Sequence, residues 1–432
     1  MRGGGRREAL PALIALALCL ALVLLAGSRI AQAATGAAEQ IFAAQGEAVV
    51  QIRVIDLASG DKSSIGSGFQ VEGSGLLATN FHVVAEFAHK PKRYRLEYLD
   101  RGAKSVPVEL IDVDIVHDLA LLRAATPLPV TLPLAGAQIA QGERLYSMGN
   151  PLDLAMTIIE GTYNGYVSAA RYRKILFSAS LNPGMSGGPA LNAAGEVIGV
   201  NVAHGGEQIS FLVPVSFLGE LLARRSDADW QKLSIDERIT RALTRDQNEF
   251  FEVLLAQPWD ALEFGEFRVP GRISETMKCW GGSSDNKDFL YDHVYQECDS
   301  QDVLFIEDGF ETGSLKYSFA RFASAQLNKL QFYGLLAAHY RHRPAYNASE
   351  KEQVGNFECR EEFVRGKGLD WRVSFCARRY RHFSELYDIS VAMSSTELAQ
   401  RGLVANLRIN GIGQPAALAF VRRFVEAIEW KP

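Results

Sequence analysis

Cysteine is scarce in this sequence and unevenly placed. Of five cysteines in 432 residues, Cys19 falls in the N-terminal segment and Cys279, Cys298, Cys359 and Cys376 all lie in the last third. No two are spaced Cys-x-x-Cys, so the usual signature of a structural zinc site is missing and no metal is expected. A surplus of positive charge is also lacking: 45 basic residues face 50 acidic ones. A mildly acidic chain has no electrostatic reason to seek nucleic acid, and that class of partner is set aside. Finally, the chain lacks the regular strand–helix alternation of a doubly wound α/β protein.

The first 33 residues carry a basic start (Arg2, Arg6, Arg7), an apolar run from Leu10 to Ala26, and Ala31-Gln32-Ala33. This three-part layout predicts a secretory signal peptide cleaved after Ala33. The apolar run is at the short edge of what spans a bilayer, so a retained anchor is the alternative, and no stable membrane span is expected after cleavage. Without this segment the chain holds 41 basic and 49 acidic residues. In an exported protein the four remaining cysteines read as two disulfides. Of the three pairings, Cys279 with Cys298 and Cys359 with Cys376 are favoured, because each closes a short, hairpin-sized loop.

From Ala48 to Val213 short β-branched and apolar runs alternate with glycine, proline and charged turns: "AVVQIRVID", "GSGFQV", "GLLATN", "RYRLEYL", "VPVELIDVD", "LALLRA", "KILFSAS" and "EVIGVNVA" among them. About a dozen strands at this spacing predict an all-β barrel or sandwich. The texture then turns helical over "PVSFLGELLARR" and residues 234–257, where Ile235, Ile239, Leu243, Phe250 and Leu254 repeat at helical spacing. Beyond Trp259 strands are expected again, over "DVLFIED", "SLKYSFARF", "KLQFYGLLAAHY", "WRVSFCARRY" and "LYDISVAM". A closing helix would present Leu418, Val421, Phe424, Val425 and Ile428 on one face. The expected organisation is a signal segment (1–33), an all-β domain (34–226), a helical linker (227–262) and an α+β domain stapled by two disulfides (263–432).

The stretch "LNPGMSGGPAL" sets Ser186 among glycines and between two prolines. An alcohol becomes a nucleophile only when a base takes its proton, a carboxylate orients that base, and preset donors meet the developing oxyanion. Upstream, "LLATNFHVV" places His82 just after an apolar strand, and "HDLALL" places Asp118 at the start of another. His, Asp, Ser is the chain order of the trypsin-like arrangement. The backbone N–H groups of Gly184 and Ser186 are the expected oxyanion donors, with Gly184 letting the chain turn them toward one point. Taken singly, such a histidine, aspartate or Gly-Ser-Gly loop is ordinarily structural, so the combination carries the argument.

With these motifs, "GNPLDL" and "ISFLVPV", the chain resembles the HtrA/Deg branch of the trypsin-like serine proteases over about 170 residues. The resemblance implies a double six-stranded barrel, no cofactor, and roles for His82 as general base, Asp118 as its orienter and Ser186 as nucleophile. It also implies that Ser180, six residues before the serine, sits at the base of the specificity pocket, with Val200, Asn201, Val202 and Ala203 lining it. A small uncharged base would favour cleavage after small to medium apolar residues. The chain departs from the family at Phe81 and Met185, where asparagine is common, and at Ser210, where glycine is usual. It also lacks the glycine-rich carboxylate-binding loop of a PDZ domain after residue 226.

His117 beside Asp118 is the competing base; strand alternation would point the two apart. His339 and His342 resemble a ligand pair, but no third ligand completes a set. The resulting expectation is a periplasmic serine endopeptidase acting on unfolded or mislocalised polypeptides. The alternatives are a dedicated processing protease steered by its C-terminal domain and a latent or non-catalytic peptide-binding holdase. Assembly into a homo-oligomer and the partner of residues 263–432 are left open.

Overall fold

The computed structural model describes residues 36–431 apart from 101, 138, 207, 285–287 and 341–348, and without the side chains of 203–205. The expected signal segment and His342 therefore lie outside the described residues. A short helix, α1 (Ala37–Gln45), leads into β1 (Val49–Asp56), β2 (Lys62–Glu72) and β3 (Leu76–Thr79). After helix α2 (Phe81–His89) come β4 (Tyr94–Leu99), β5 (Ser105–Asp114) and β6 (Leu119–Ala124). These six strands close into a barrel in the order β1-β2-β3-β6-β5-β4. A second barrel, in the order β10-β11-β12-β9-β8-β7, is built from β7 (Arg144–Gly149), β8 (Thr157–Tyr166), β9 (Ile175–Ser178), β10 (Pro189–Leu191), β11 (Val197–Gly206) and β12 (Ile209–Pro214).

Strand alternation explains why β6 reads Leu-Ala-Leu-Leu with no polar break. Ala120 and Leu122 join Ile52, Val54, Leu77 and Leu96 inside the first barrel. Leu119 and Leu121 belong to the opposite face, in a cluster with Tyr146, Met148, Val197, Val200 and Val213 of the second barrel. A strand buried on both faces loses the hydrophobic–polar alternation of a half-exposed one.

Helices α3 (Val215–Arg224) and α4 (Ala228–Gln231) lead to α5 (Ile235–Ala256). A capping box between Ser234 and Glu237 starts α5, and its 22 residues extend about 33 Å. Ile239 and Leu243 join the core of the first barrel, whereas Phe251 and Leu254 join the core of the C-terminal sheet. The segment expected as a linker thus holds a helix packed into both cores.

The C-terminal region opens with β13 (Ala261–Phe264) and β14 (Phe267–Pro270). It continues with β15 (Met277–Ser284), β16 (Asp292–Ser300), β17 (Leu304–Glu307), β18 (Phe310–Thr312) and β19 (Leu315–Ala323). Helix α6 (Lys329–His339), β20 (Glu358–Arg365), β21 (Asp370–Arg379), β22 (Leu386–Ser395), β23 (Arg401–Gly413), α7 (Gln414–Glu426) and β24 (Glu429–Trp430) complete it. Seven strands form one antiparallel sheet in the order β15-β16-β19-β23-β22-β21-β20, and β17 and β18 pair as a separate hairpin. On β23, Leu403, Ala405, Leu407 and Ile409 cluster with residues of α5 and α7, while Val404 joins Phe332 and Leu336 of α6 in another cluster. Disulfides link Cys279 to Cys298 across β15 and β16, and Cys359 to Cys376 across β20 and β21.

Two local expectations are corrected. "KLQFYGLLAAHY" is helical over α6 rather than a strand: Asn328 and Gln331 form a capping box, and Phe332 and Leu336 bury at i, i+4. On α7 the buried residues are Ala417, Phe420 and Phe424, while Leu418 is more than half exposed.

Candidate active site

β3 delivers the chain to the site. At its end the Thr79 hydroxyl donates to Ser67 O at 2.7 Å, and the Asn80 amide side chain donates to Asp118 O at 2.7 Å. His82 follows in the first turn of α2. One carboxylate oxygen of Asp118 accepts the His82 backbone N–H at 2.8 Å, and the other lies 2.7 Å from Nδ1. Asp118 occupies the left-handed region, φ 55°, at the tight turn into β6. Burial of the imidazole opposes its charge, but the Asp118 carboxylate and its hydrogen bond outweigh that, helped by Asp308. The His82 pKa is accordingly raised above its usual value.

The serine loop is pinned from several sides. Ser67 N–H donates to Ser186 O at 2.7 Å, Gly187 N–H to Asn201 O at 2.9 Å, and Asn201 N–H to Gly188 O at 2.9 Å. Gly184 has φ +93°, and a Cβ there would stand 2.4 Å from Asn150 O. The Gly184 carbonyl accepts from the Ser67 hydroxyl, and the Pro183 carbonyl accepts Leu152 N–H at 2.8 Å. Among the described residues, neither the Gly184 nor the Ser186 amide donates a hydrogen bond. Met185 is fully buried in the second barrel with Leu181, Ala190 and Ile198.

Among the described residues, the Ser186 hydroxyl donates to Val202 O at 3.2 Å and makes no hydrogen bond to His82. A Cβ on Gly66 would stand 2.5 Å from Val83 and 3.0 Å from Ser186 O, so β2 sets the serine loop against the helix that carries His82. His82 and Asp118 are thus joined directly, and Ser186 is held beside them with its hydroxyl turned to β11.

The pocket candidates separate. Ser180 is exposed, and its hydroxyl accepts Gln208 N–H at 3.3 Å. Val200 is buried in the cluster between the barrels. The Asn201 side chain is committed to Ser147, Met148 O and Met185 O. This leaves the Val202 backbone beside the serine; the Ala203 side chain lies outside the described residues. Ser210 bridges Ala179 O at 2.7 Å and Leu181 N–H at 3.1 Å, bracketing Ser180. Its departure from glycine was the signal for it.

His117 is drawn away from the site. Its Nδ1 lies 2.8 Å from Asp114, and its ring stacks on Phe217 at 3.6 Å. His117 and Asp118 are parted by a turn, not by strand alternation. Sequence reasoning missed Phe305, on β17, whose ring meets the His82 ring edge-on with centroids 6.0 Å apart. No group of three or more His, Cys, Asp or Glu able to hold a metal occurs among the described residues. Nor is any helix among them long and apolar enough to cross a membrane.

A profile of the trypsin-like peptidase domain matches residues 66–200. The chain is similar to the mitochondrial serine protease HTRA2 of Bos taurus, 40% identical over 172 residues that make up 37% of this chain and 36% of the relative. It is also similar to the Drosophila persimilis HTRA2, 32% identical over 203 residues, 43% of this chain and 47% of the relative. The chain therefore spans less than half the length of these relatives. Among solved structures, the serine endoprotease of Yersinia pestis aligns with a TM-score of 0.38 and 26% identity, covering 43% of this chain and 65% of that one. The match over residues 66–200 falls on the two barrels, so this part of the chain is similar to trypsin-like peptidase domains, and the relatives it matches are HTRA2 serine proteases.

Proposed function

We propose that the protein is an exported, periplasmic serine endopeptidase in which Ser186 is the nucleophile, His82 the general base and Asp118 the residue that orients it. The observation that carries this reading is the double grip of Asp118 on His82, through the backbone N–H and Nδ1, beside a serine whose own amide, like that of Gly184, donates no hydrogen bond among the described residues. With Nδ1 facing the carboxylate, the neutral ring keeps Nε2 as its proton acceptor. Rotation of the Ser186 hydroxyl from Val202 O toward Nε2 readies the attack. As the oxygen adds to the scissile carbonyl, its proton passes to His82, and the oxyanion is received by the Gly184 and Ser186 amides. Collapse breaks the C–N bond, and His82 returns the proton to the leaving amine. Water, deprotonated by His82, then releases the acyl group and regenerates the serine.

The substrates proposed are unfolded polypeptides, cut after small to medium apolar residues, with Ser180 at the pocket. Incubating the purified chain and its Ser186→Ala variant with casein, and mapping the cuts by mass, tests this. Cuts after Val, Ala or Leu that vanish in the variant are expected. Equal cutting by both would exclude Ser186, and cuts after Lys or Arg would exclude the pocket assignment. One observation favours a second reading, a latent enzyme: the serine hydroxyl rests on Val202 O. An enzyme of that kind would show a lag or need a bound peptide before the first turnover.

A further inference from the structure

The β17–β18 hairpin leaves the C-terminal sheet and lies on the helix that carries His82. Leu304, Ile306 and Phe310 share one buried cluster with Val84, Ala85 and Ala88 of α2. Polar contacts fix the same approach: His89 Nε2 lies 3.1 Å from Ile306 O, and Lys90 pairs with Glu307 at 3.0 Å. At the base of the hairpin, buried Asp302 accepts Arg171 N–H at 2.7 Å and Lys174 Nζ at 2.9 Å from the β8–β9 loop of the second barrel.

Leu304 and Ile306 are buried, whereas Phe305 between them is half-buried: it packs in part on the same cluster and sets its ring edge-on to His82 with centroids 6.0 Å apart. Val303, two residues earlier, is 43% exposed. A residue serving only the interface would be buried like its neighbours; Phe305 is half-buried and also meets the His82 ring. During the reaction His82 must protonate the leaving amine, so the substrate chain passes this ring on either side of the cleaved bond.

We propose that the β17–β18 hairpin is a wall of the catalytic cleft and that Phe305 is a specificity-determining residue, favouring an apolar substrate side chain next to the cleaved pair. The proposal rests on the catalytic reading of Ser186 and His82 given above. It makes the C-terminal domain a contributor to the site itself.

The test compares the full chain with its Phe305→Ala and Phe305→Leu variants on fluorogenic peptides that share valine before the cleaved bond. The residue on each side of that pair is varied among Leu, Phe, Ser and Lys. In the unaltered chain kcat/KM should favour Leu or Phe over Ser at one of these positions. Phe305→Ala should shrink that preference about tenfold, mainly through KM, as loss of one apolar pocket contact does; Phe305→Leu should restore most of it. A change uniform across all peptides overturns the proposal, as does a general rise in activity, which would mark the hairpin as a lid. Labelling of Ser186 by a fluorophosphonate keeps the two readings apart. Labelling with no side-chain preference defeats this proposal alone, whereas no labelling of the unaltered chain defeats the catalytic reading beneath it.

Discussion

Asp118 holds His82 by two separate atoms, taking the backbone N–H at 2.8 Å on one carboxylate oxygen and facing Nδ1 at 2.7 Å with the other. One side chain therefore fixes both the start of α2 and the plane of the imidazole. Replacing it with asparagine keeps the size but offers an N–H where Nδ1 needs an acceptor, which favours the wrong tautomer. Asp118→Asn is expected to lower kcat by about 10³- to 10⁴-fold with little change in KM. Steady-state kinetics on a single peptide reads this, and a loss below tenfold would remove Asp118 from the mechanism.

The pH dependence follows from the same pair. The base must be neutral, and Asp118, helped by the charge of Asp308, raises the His82 pKa above its usual 6.5 despite burial. The acid limb of kcat/KM should therefore have its midpoint above 6.5. Asp308→Asn should move that limb to lower pH. Stability runs the other way: a raised folded-state pKa favours the protonated fold, so this contribution is full below the unfolded value and is lost as pH rises through the folded one. Activity should climb where that increment of stability disappears, which pH-resolved kinetics and thermal melts check together.

Gly184 has the least room for change. Its φ of +93° disfavours any side chain, and a Cβ would press on Asn150 O at 2.4 Å. Gly184→Ala must displace the peptide that bears one proposed oxyanion donor, and kcat should fall by about 10²- to 10³-fold while peptide binding is largely kept. Active-site titration together with inhibitor binding separates these effects.

The second barrel and α5 are clamped by buried charges. Arg171, from the β8–β9 loop, pairs with Asp246 of α5 at 2.5 Å, with Tyr172 OH donating to the same carboxylate at 2.8 Å. The guanidinium also lies 3.8 Å over the Phe250 ring. Burial, offset in part by Arg171, raises the Asp246 pKa. Asp246→Ala strands Arg171 without its partner and should cost about 3 kcal/mol or more, seen as a lower urea midpoint. Asp246→Ala and Arg171→Ala together should cost less than the two separately.

Much of this architecture is legible in the sequence because its strands are short, apolar and punctuated. Most of the twelve strands between Val49 and Pro214 follow the β-branched and apolar runs, though β7 and β10 hold no β-branched residue, and β6 betrays its double burial by lacking polar alternation. His82, Asp118 and Ser186 stand out through motif order. Helix α6 is less legible, since "FYGLLAA" carries β-favouring aromatics and a glycine, and the helix is set by its cap and by packing on β23. The resemblance places Val200 at the pocket, but its side chain is buried in the core between the barrels. Phe305 carries no local sign of a role, because its meaning comes from a hairpin docked 223 residues away from His82 along the chain.

The central claim is that Ser186 becomes nucleophilic through His82. The most direct measurement is intact-mass and peptide-mapped labelling with a fluorophosphonate, on the unaltered chain and on the His82→Ala and Ser186→Ala variants. One adduct at Ser186, slowed by orders of magnitude in His82→Ala and absent in Ser186→Ala, is the predicted result. Labelling at another residue, or at Ser186 with equal speed when His82 is gone, would contradict it.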